Sequence, residues 1–146
     1  AIQTDQEIYH RRLSNTIWVK IITQSKNKLS VYFFINVLKA IKSNAIALFD
    51  ETSLISQSGG QTSRIDSLKN CLYKFSLKNK KKKNIKLFLF SDAFFPFTDS
   101  LKLIKKQKVK IDIYAPMGSI NDNLIEKFVK QNRLNFFKMS DRHFKH

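Results

Sequence analysis

Apolar runs separated by short polar segments alternate along the chain with two different periods, and they predict alternating strands and helices. Thr16–Thr23 (TIWVKIIT) is β-branched and aromatic and reads as a strand. After the polar loop Gln24–Lys28, Leu29–Lys42 carries apolar residues on nearly every face: Leu29, Val31, Tyr32, Phe33, Phe34, Ile35, Val37, Leu38 and Ile41. Such a pattern predicts a helix buried all round, between a sheet and a partner. Ala45–Phe49 (AIALF) is a second strand, Asp50-Glu51 a tight turn and Ser53–Ser56 a short returning strand. The loop Ser58-Gly59-Gly60-Gln61 leads into a helix with Ser63 as N-cap and Asp66 as its capping partner. Ile65, Leu68, Leu72 and Phe75 form the buried stripe of that helix.

Ile85–Phe90 (IKLFLF) reads as a buried strand. The chain turns after it, because Pro96 cannot donate to a ladder and disfavours helical angles at Phe95. Asp99 is placed to cap a helix containing Leu101, Leu103 and Ile104. Val109–Ala115 is the next strand and Pro116–Ser119 a turn. Ser119 and Asp122 repeat the capping pattern ahead of a helix with Ile120, Leu124 and Phe128 on one stripe, and Leu134–Phe137 is a last short strand. This alternation predicts an α/β layered sheet. Residues 1–15 are polar and weakly patterned and read as a connection from upstream sequence, with 16–146 as one domain. The chain does not begin with Met and is expected to be a piece of something longer.

Composition changes this picture little. The 146 residues suffice for one domain with a real core. A formal net charge of +16 raises nucleic acid, anionic membranes and phosphorylated ligands as partners. Lys is spread over every segment and far outnumbers Arg, so the excess reads mainly as solvated surface. The run Lys78–Asn84 (KNKKKKN) has no interleaved aromatic for base stacking and reads as a solvated loop. The single cysteine, Cys71, excludes an internal disulfide and a Cys-based zinc site formed by this chain alone. With no apolar run of membrane-spanning length and no signal-peptide pattern, a soluble cytoplasmic protein is expected.

Four stretches offer chemistry. Ser91–Asp99 (SDAFFPFTD) sets Asp92 and the aromatics Phe94, Phe95 and Phe97 just beyond a strand, where α/β sheets bind ligands and rings can stack on a flat heterocycle. Each Phe taken singly also suits a core. Ser43-Asn44 puts a primary amide between a helix and a strand, where it can meet a carboxamide or an oxyanion, or cap the helix C-terminus. Gly59, Gly60 and Gln61 precede a helix N-terminus with Arg64 close by, a generic anion site. The terminal Arg142, His143, Phe144, Lys145 and His146 are of a type that ordinarily frays.

Taken whole, these stretches resemble the AICAR transformylase/IMP cyclohydrolase family. SDAFFPF is close to a family segment of the same sequence. IKSNAIAL resembles its KSNAI segment, GQTSRIDS its GQxSRxDS motif, PMGSIND its PGGSIRD and RHFKH its ending RHFRH. The resemblance runs from about Trp18 to the end and implies a three-layer α/β/α, cytidine-deaminase-like subdomain without zinc. It implies AICAR contacts at Asn44, Phe94 and Arg142, with Asn44 also catalytic. It implies folate contacts at Gln61, Arg64, Ile65, Phe97, Asp99 and Phe144, with His146 and Ser100 as further candidates. A potassium ion near Ser43 and Asp92 and a homodimer are implied as well. The chain departs from the pattern at Ser100, at Met117 and in SQSG, where the family has the glycine-richer GIGA.

The implied reaction is formyl transfer from 10-formyltetrahydrofolate, the co-substrate, to the 5-amino group of AICAR, giving FAICAR. The family's catalytic Lys-His pair belongs to sequence upstream of these motifs; here the only such dipeptide is the terminal Lys145-His146. Binding without efficient turnover is therefore expected of this chain. A zinc deaminase is set aside, because neither H-x-E nor P-C-x-x-C occurs. A basic nucleic-acid-binding module and a non-catalytic dimerisation fragment remain as the alternative readings.

Overall fold

The computed structural model describes residues 31–78 and 85–139, as nine elements: α1 (Val31–Lys39), β1 (Ile46–Phe49), β2 (Leu54–Ser58), α2 (Arg64–Lys78), β3 (Lys86–Ser91), α3 (Asp99–Lys105), β4 (Lys110–Pro116), α4 (Asp122–Gln131) and β5 (Asn135–Met139). The expected strand Thr16–Thr23, the connection before it, the loop at 24–28, the start of the Leu29 helix, the lysine run at 79–84 and the terminal RHFKH lie outside the described residues.

The strands form one sheet in the order β2-β1-β3-β4-β5. β1 runs antiparallel to both of its neighbours, while β3, β4 and β5 are parallel. The chain therefore passes from β2 to β3, β4 and β5 in one direction across the sheet. Right-handed crossovers that all advance the same way must lay their helices on the same face. Accordingly α2, α3 and α4 share one core with Ile46, Leu48, Leu87, Leu89, Ile111, Ile113 and Phe136. The opposite face packs on α1, through Phe34, Ile35 and Leu38. The architecture is three-layered, α/β/α.

The two faces differ in kind. The α1 face is aromatic: Phe34 sits 4.3 Å from Phe49, 5.7 Å from Phe88 and 5.3 Å from Phe90, ring centre to ring centre. Across the strands, Phe90, Tyr114 and Phe137 occupy paired positions and stack at 4.4 and 4.6 Å. Alternation within each strand sends the aliphatic residues to the other face.

Several expectations are corrected. α1 is shorter than expected: it stops at Lys39 as Ala40 and Ile41 donate to the carbonyls of Val37 and Leu38, and in the single chain it leaves Phe33 and Asn36 exposed, on the side where a partner is expected. In α4 the buried stripe is Ile125 and Val129, with Phe128 partly buried; Leu124 is exposed and Ile120, ahead of the helix, is 99% exposed. The two stripes have the same spacing and differ only by a rotation of about 100°, so periodicity alone does not choose between them. The N-cap of α3 is Thr98, and Asp99 instead accepts the Ser100 N–H at 3.0 Å.

Most other local signals behave as expected. Asp66 N–H donates to Ser63 Oγ at 3.2 Å; at α4 the N-cap is Asn121 rather than Ser119, although the Asp122 carboxylate accepts from the Ser119 backbone at 3.0 Å. Asp50 Oδ1 closes the β1–β2 turn by accepting both the Thr52 and Ser53 N–H groups, at 2.8 and 2.7 Å. Among the described residues, no helix is long and apolar enough to cross a membrane.

Phe34→Ala empties the centre of the aromatic face and is expected to cost about 3–5 kcal/mol. Ile120→Ser should change stability by less than about 0.5 kcal/mol. Urea unfolding of both variants checks the assignment of faces. Burial pushes the Cys71 thiol up to about 11, against the hydrogen bond from Ser56. The thiolate is the reactive form, so a thiol reagent at pH 8 should label Cys71 only after unfolding.

Candidate functional site

The topology gathers the described segments that carry expected site residues at one edge of the sheet. β1 is antiparallel to β3, and Ile46 pairs with Ser91 while Ser58 pairs with Ile46. The amino end of β1 therefore lies beside the carboxyl ends of β2 and β3, and β4 ends at the same edge. Segments 40–45, 59–63, 92–98 and 117–121 all open there, in the region where α/β sheets bind ligands. β5 ends there as well, at Met139.

At the middle of this edge is a buried polar hub. Asp92 follows β3 and is 0% exposed; Arg64 opens α2 and is 8% exposed. The Arg64 guanidinium forms a short ion pair with Asp92 Oδ1 and donates to Ser91 Oγ at 3.1 Å. Its second terminal nitrogen donates to Asn44 Oδ1 at 2.9 Å. The other Asp92 oxygen accepts the Ser43 hydroxyl at 2.6 Å. Asn44 Nδ2 donates to the Gln61 carbonyl at 3.0 Å, and Ser67 Oγ donates to the Asn44 carbonyl at 2.5 Å. The Ser43-Asn44 peptide bond is cis.

These contacts settle which way the Asn44 amide faces. A guanidinium only donates, so the atom facing it must be Oδ1 and the atom facing Gln61 must be Nδ2. One Nδ2–H is spent on the Gln61 carbonyl, and among the described residues no acceptor is paired with the second. Asn44 follows α1 by five residues and leads into β1, so it is not a helix cap.

Glycine makes the hub's outer loop. Gly59 packs directly on the Lys42 backbone, and a Cβ there would collide with the Lys42 carbonyl and Ile41 Cγ2. Gly60, with φ +69°, donates its N–H to the same carbonyl at 2.9 Å. This loop holds Gln61 against Asn44.

The remaining candidates divide. Ile65 is partly buried against the helical core, and Ser100 is fully buried. In the 92–98 loop, Phe95 belongs to the core, Phe94 is half-buried and Phe97 is 61% exposed. Asn121 Nδ2 donates to the Pro96 carbonyl at 2.9 Å and ties this loop to the start of α4. Asp99 is exposed. Arg142, Phe144 and His146 lie outside the described residues.

Where the potassium ion is expected, both Asp92 oxygens are engaged, Oδ1 by the Arg64 guanidinium and Oδ2 by the Ser43 hydroxyl. No cluster of three or more His, Cys, Asp or Glu suited to a metal occurs among the described residues.

Sequence reasoning did not find the mutual pairing of Arg64 and Asp92, or the parts of Ser67 and Ser91. The available signal was Asp92 itself: an acid just beyond the buried run Leu87–Phe90 needs a buried cation or hydrogen-bond donors.

A family model described as "AICARFT/IMPCHase bienzyme" matches residues 2–74. Curated relatives are each named "Bifunctional purine biosynthesis protein PurH". The one from Buchnera aphidicola subsp. Baizongia pistaciae is 41% identical over 117 residues, covering 78% of this chain and 21% of that protein. The one from Clostridioides difficile is 40% identical, covering 78% and 21%. The one from Fusobacterium nucleatum is 31% identical over 152 residues, covering 99% and 29%. The chain thus spans between about a fifth and three tenths of the length of these curated relatives.

Gly59→Ala should destabilise the protein by about 1–3 kcal/mol, the range for overpacking against a fixed neighbour. Gly60→Asn has open space and a side chain that tolerates positive φ, and should cost less than about 1 kcal/mol. Thermal unfolding of the two variants distinguishes the close approach from the turn.

Proposed function

The chain belongs to the AICARFT/IMPCHase bienzyme family, and from that premise we propose that it supplies one part of a cytoplasmic formyl-transfer site, taking AICAR and 10-formyltetrahydrofolate to FAICAR. In this reading it is a cytidine-deaminase-like subdomain of the formyl-transfer region, and a homodimer completes the site. The three-layer architecture supports the first point. The exposed apolar side chains Phe33, Ile120 and Leu124 offer surface for the second.

The observation that carries the reading is the fixed Asn44 amide at the carboxyl edge of the sheet, with the half-buried Phe94 two residues beyond Asp92. In formyl transfer the AICAR amine forms a new C–N bond to the formyl carbon and loses a proton. The bond from that carbon to the folate nitrogen breaks, and the nitrogen takes up a proton. Between these events a tetrahedral oxyanion must be stabilised. The free Nδ2–H of Asn44 is suited to the AICAR carboxamide or to that oxyanion. Phe94 offers a face to the imidazole and the exposed Phe97 one to the folate. Arg142, a permanent bidentate donor, is assigned to the nucleotide phosphate, with Phe144 on the folate side.

The general base is not assigned to any described residue. Asp92 is buried and matched by Arg64, and the family's Lys-His pair is not among these motifs. The site is therefore proposed to bind substrate without efficient turnover unless the remaining sequence of its relatives is present.

Calorimetric titration with AICAR, using UMP as control, tests this. Saturable binding of AICAR alone is expected, weakened about tenfold, or 1.4 kcal/mol, in Asn44→Ala and again in Arg142→Ala. Equal weak binding of both nucleotides that vanishes in salt would overturn it in favour of a basic surface. Measurable turnover by the chain alone would overturn the division between binding and catalysis.

A further inference from the structure

We infer that Asp92 is a positioning residue of this site: it fixes the Arg64 guanidinium, which in turn fixes the Asn44 carboxamide and leaves one amide N–H free for the substrate. The inference rests on the proposed role of Asn44 as the group that meets AICAR.

The chain of contacts is continuous. The Ser43 hydroxyl donates to Asp92 Oδ2 at 2.6 Å, Asp92 Oδ1 takes one terminal nitrogen of Arg64, and the other terminal nitrogen donates to Asn44 Oδ1 at 2.9 Å. Ser91 Oγ, at 3.1 Å from the first nitrogen, blocks rotation of the guanidinium. A planar guanidinium has its donors in a fixed fork, so holding one arm on Asp92 determines where the other arm points. Asp92 is fully buried and meets the Asn44 carboxamide only through Arg64, so its part is to position that amide.

An unrestrained Asn side chain can exchange its oxygen and nitrogen by turning about its last torsion, at little cost in water. Here a turn of 180° would set Nδ2 against the guanidinium, donor against donor, and Oδ1 against the Gln61 carbonyl, acceptor against acceptor. The arrangement therefore selects one orientation of the amide before ligand arrives. Such preorganisation matters for a group required to donate, because the wrong orientation offers a lone pair to the same atom.

A single set of variants in the full chain tests the inference: Asp92→Asn, Arg64→Lys and Ser43→Ala, each alone and with Asn44→Ala. Two measurements are read on each: the side-chain NH2 resonances of Asn44 in a 15N correlation spectrum without ligand, and AICAR affinity by calorimetry. In Asp92→Asn the Asn44 pair should shift, and its exchange with water should accelerate about tenfold. AICAR affinity should fall about tenfold, and that loss should disappear in the Asn44→Ala background. Arg64→Lys keeps the charge and loses the fork, and should behave like Asp92→Asn. Ser43→Ala removes one contact to Asp92 and should move the resonances in the same direction by less, with about threefold weaker binding; it decides the matter if the other two fail to fold.

Unmoved Asn44 resonances in folded variants would overturn the inference. So would an affinity loss that simply adds to that of Asn44→Ala, since a purely structural role predicts addition. If the parent chain does not bind AICAR, the proposed function fails, while the resonances still decide whether Asp92 positions Asn44.

Discussion

The buried ion pair between Arg64 and Asp92 is the constraint on which the functional edge depends. A cation in the first turn of a helix opposes the helix dipole, and a carboxylate with no exposed surface is costly unless paired and hydrogen-bonded. Each residue alone is an unfavourable choice, and each removes the other's cost. The pair joins the start of α2 to the end of β3, and through Asn44 and Ser43 it reaches the segment that enters β1. Removing one member of such a pair ordinarily costs about 3–5 kcal/mol, because the other is left charged and buried. Lys86–Asp112, at the far end of β3 and β4, is a different kind of contact. There the lysine is 48% exposed at 3.3 Å, and the buried acid is also held by Asn135.

The two faces of the sheet place this edge. Crossovers that always advance in one direction put three helices on one side, and their N-termini meet the carboxyl edge. The other side is left to α1 and the stacked rings of Phe90, Tyr114 and Phe137. Aromatic stacks across paired strand positions resist register change, so β3, β4 and β5 hold their ends level. That levelness brings 92–98 and 117–121 close enough for Asn121 to bond the Pro96 carbonyl. Part of the large positive charge is used locally. Lys74 and Lys78 bond carbonyls of the edge strand β2, and Lys105 bonds the carbonyl of Asn132. Lysines at a sheet edge also discourage pairing with another chain.

Much of the fold is written in local patterns. Each strand expected within the described residues is present with ends shifted by a residue or two, since apolar runs between turn residues have few alternatives. Ser63 and Asp66 mark the start of α2, because side-chain oxygens there meet otherwise unsatisfied N–H groups. The phase of α4 is not local: Ile120, Leu124 and Phe128 compete with Ile125 and Val129 at the same spacing, and only the sheet beneath selects one set. The outer side of α1 is similar: β1 and β3 cover Phe34, Ile35 and Leu38 and leave Phe33 to whatever lies beyond the sheet. At the site, the sequence marked Asn44, Arg64 and Asp92 separately. Their pairing spans 28 positions from Arg64 to Asp92, and no periodicity links residues so far apart.

That pairing alters the chemical meaning of the residues. Read alone, Arg64 is a cation waiting for an anionic ligand and Asp92 is an acid waiting for a proton or a metal. Paired and buried, each is engaged by the other, and neither is left facing a bound amine to take its proton. What remains at the hub is a neutral amide, held in one orientation, with Phe94 half-buried nearby in the chain. In the proposed reading this amide meets the carboxamide of a flat ring or a developing oxyanion. Deprotonating the amine requires a group that these residues do not contain. In the proposed reading Asn44 is then the group that meets substrate, Asp92 stands behind it through Arg64, and proton transfer falls to other residues.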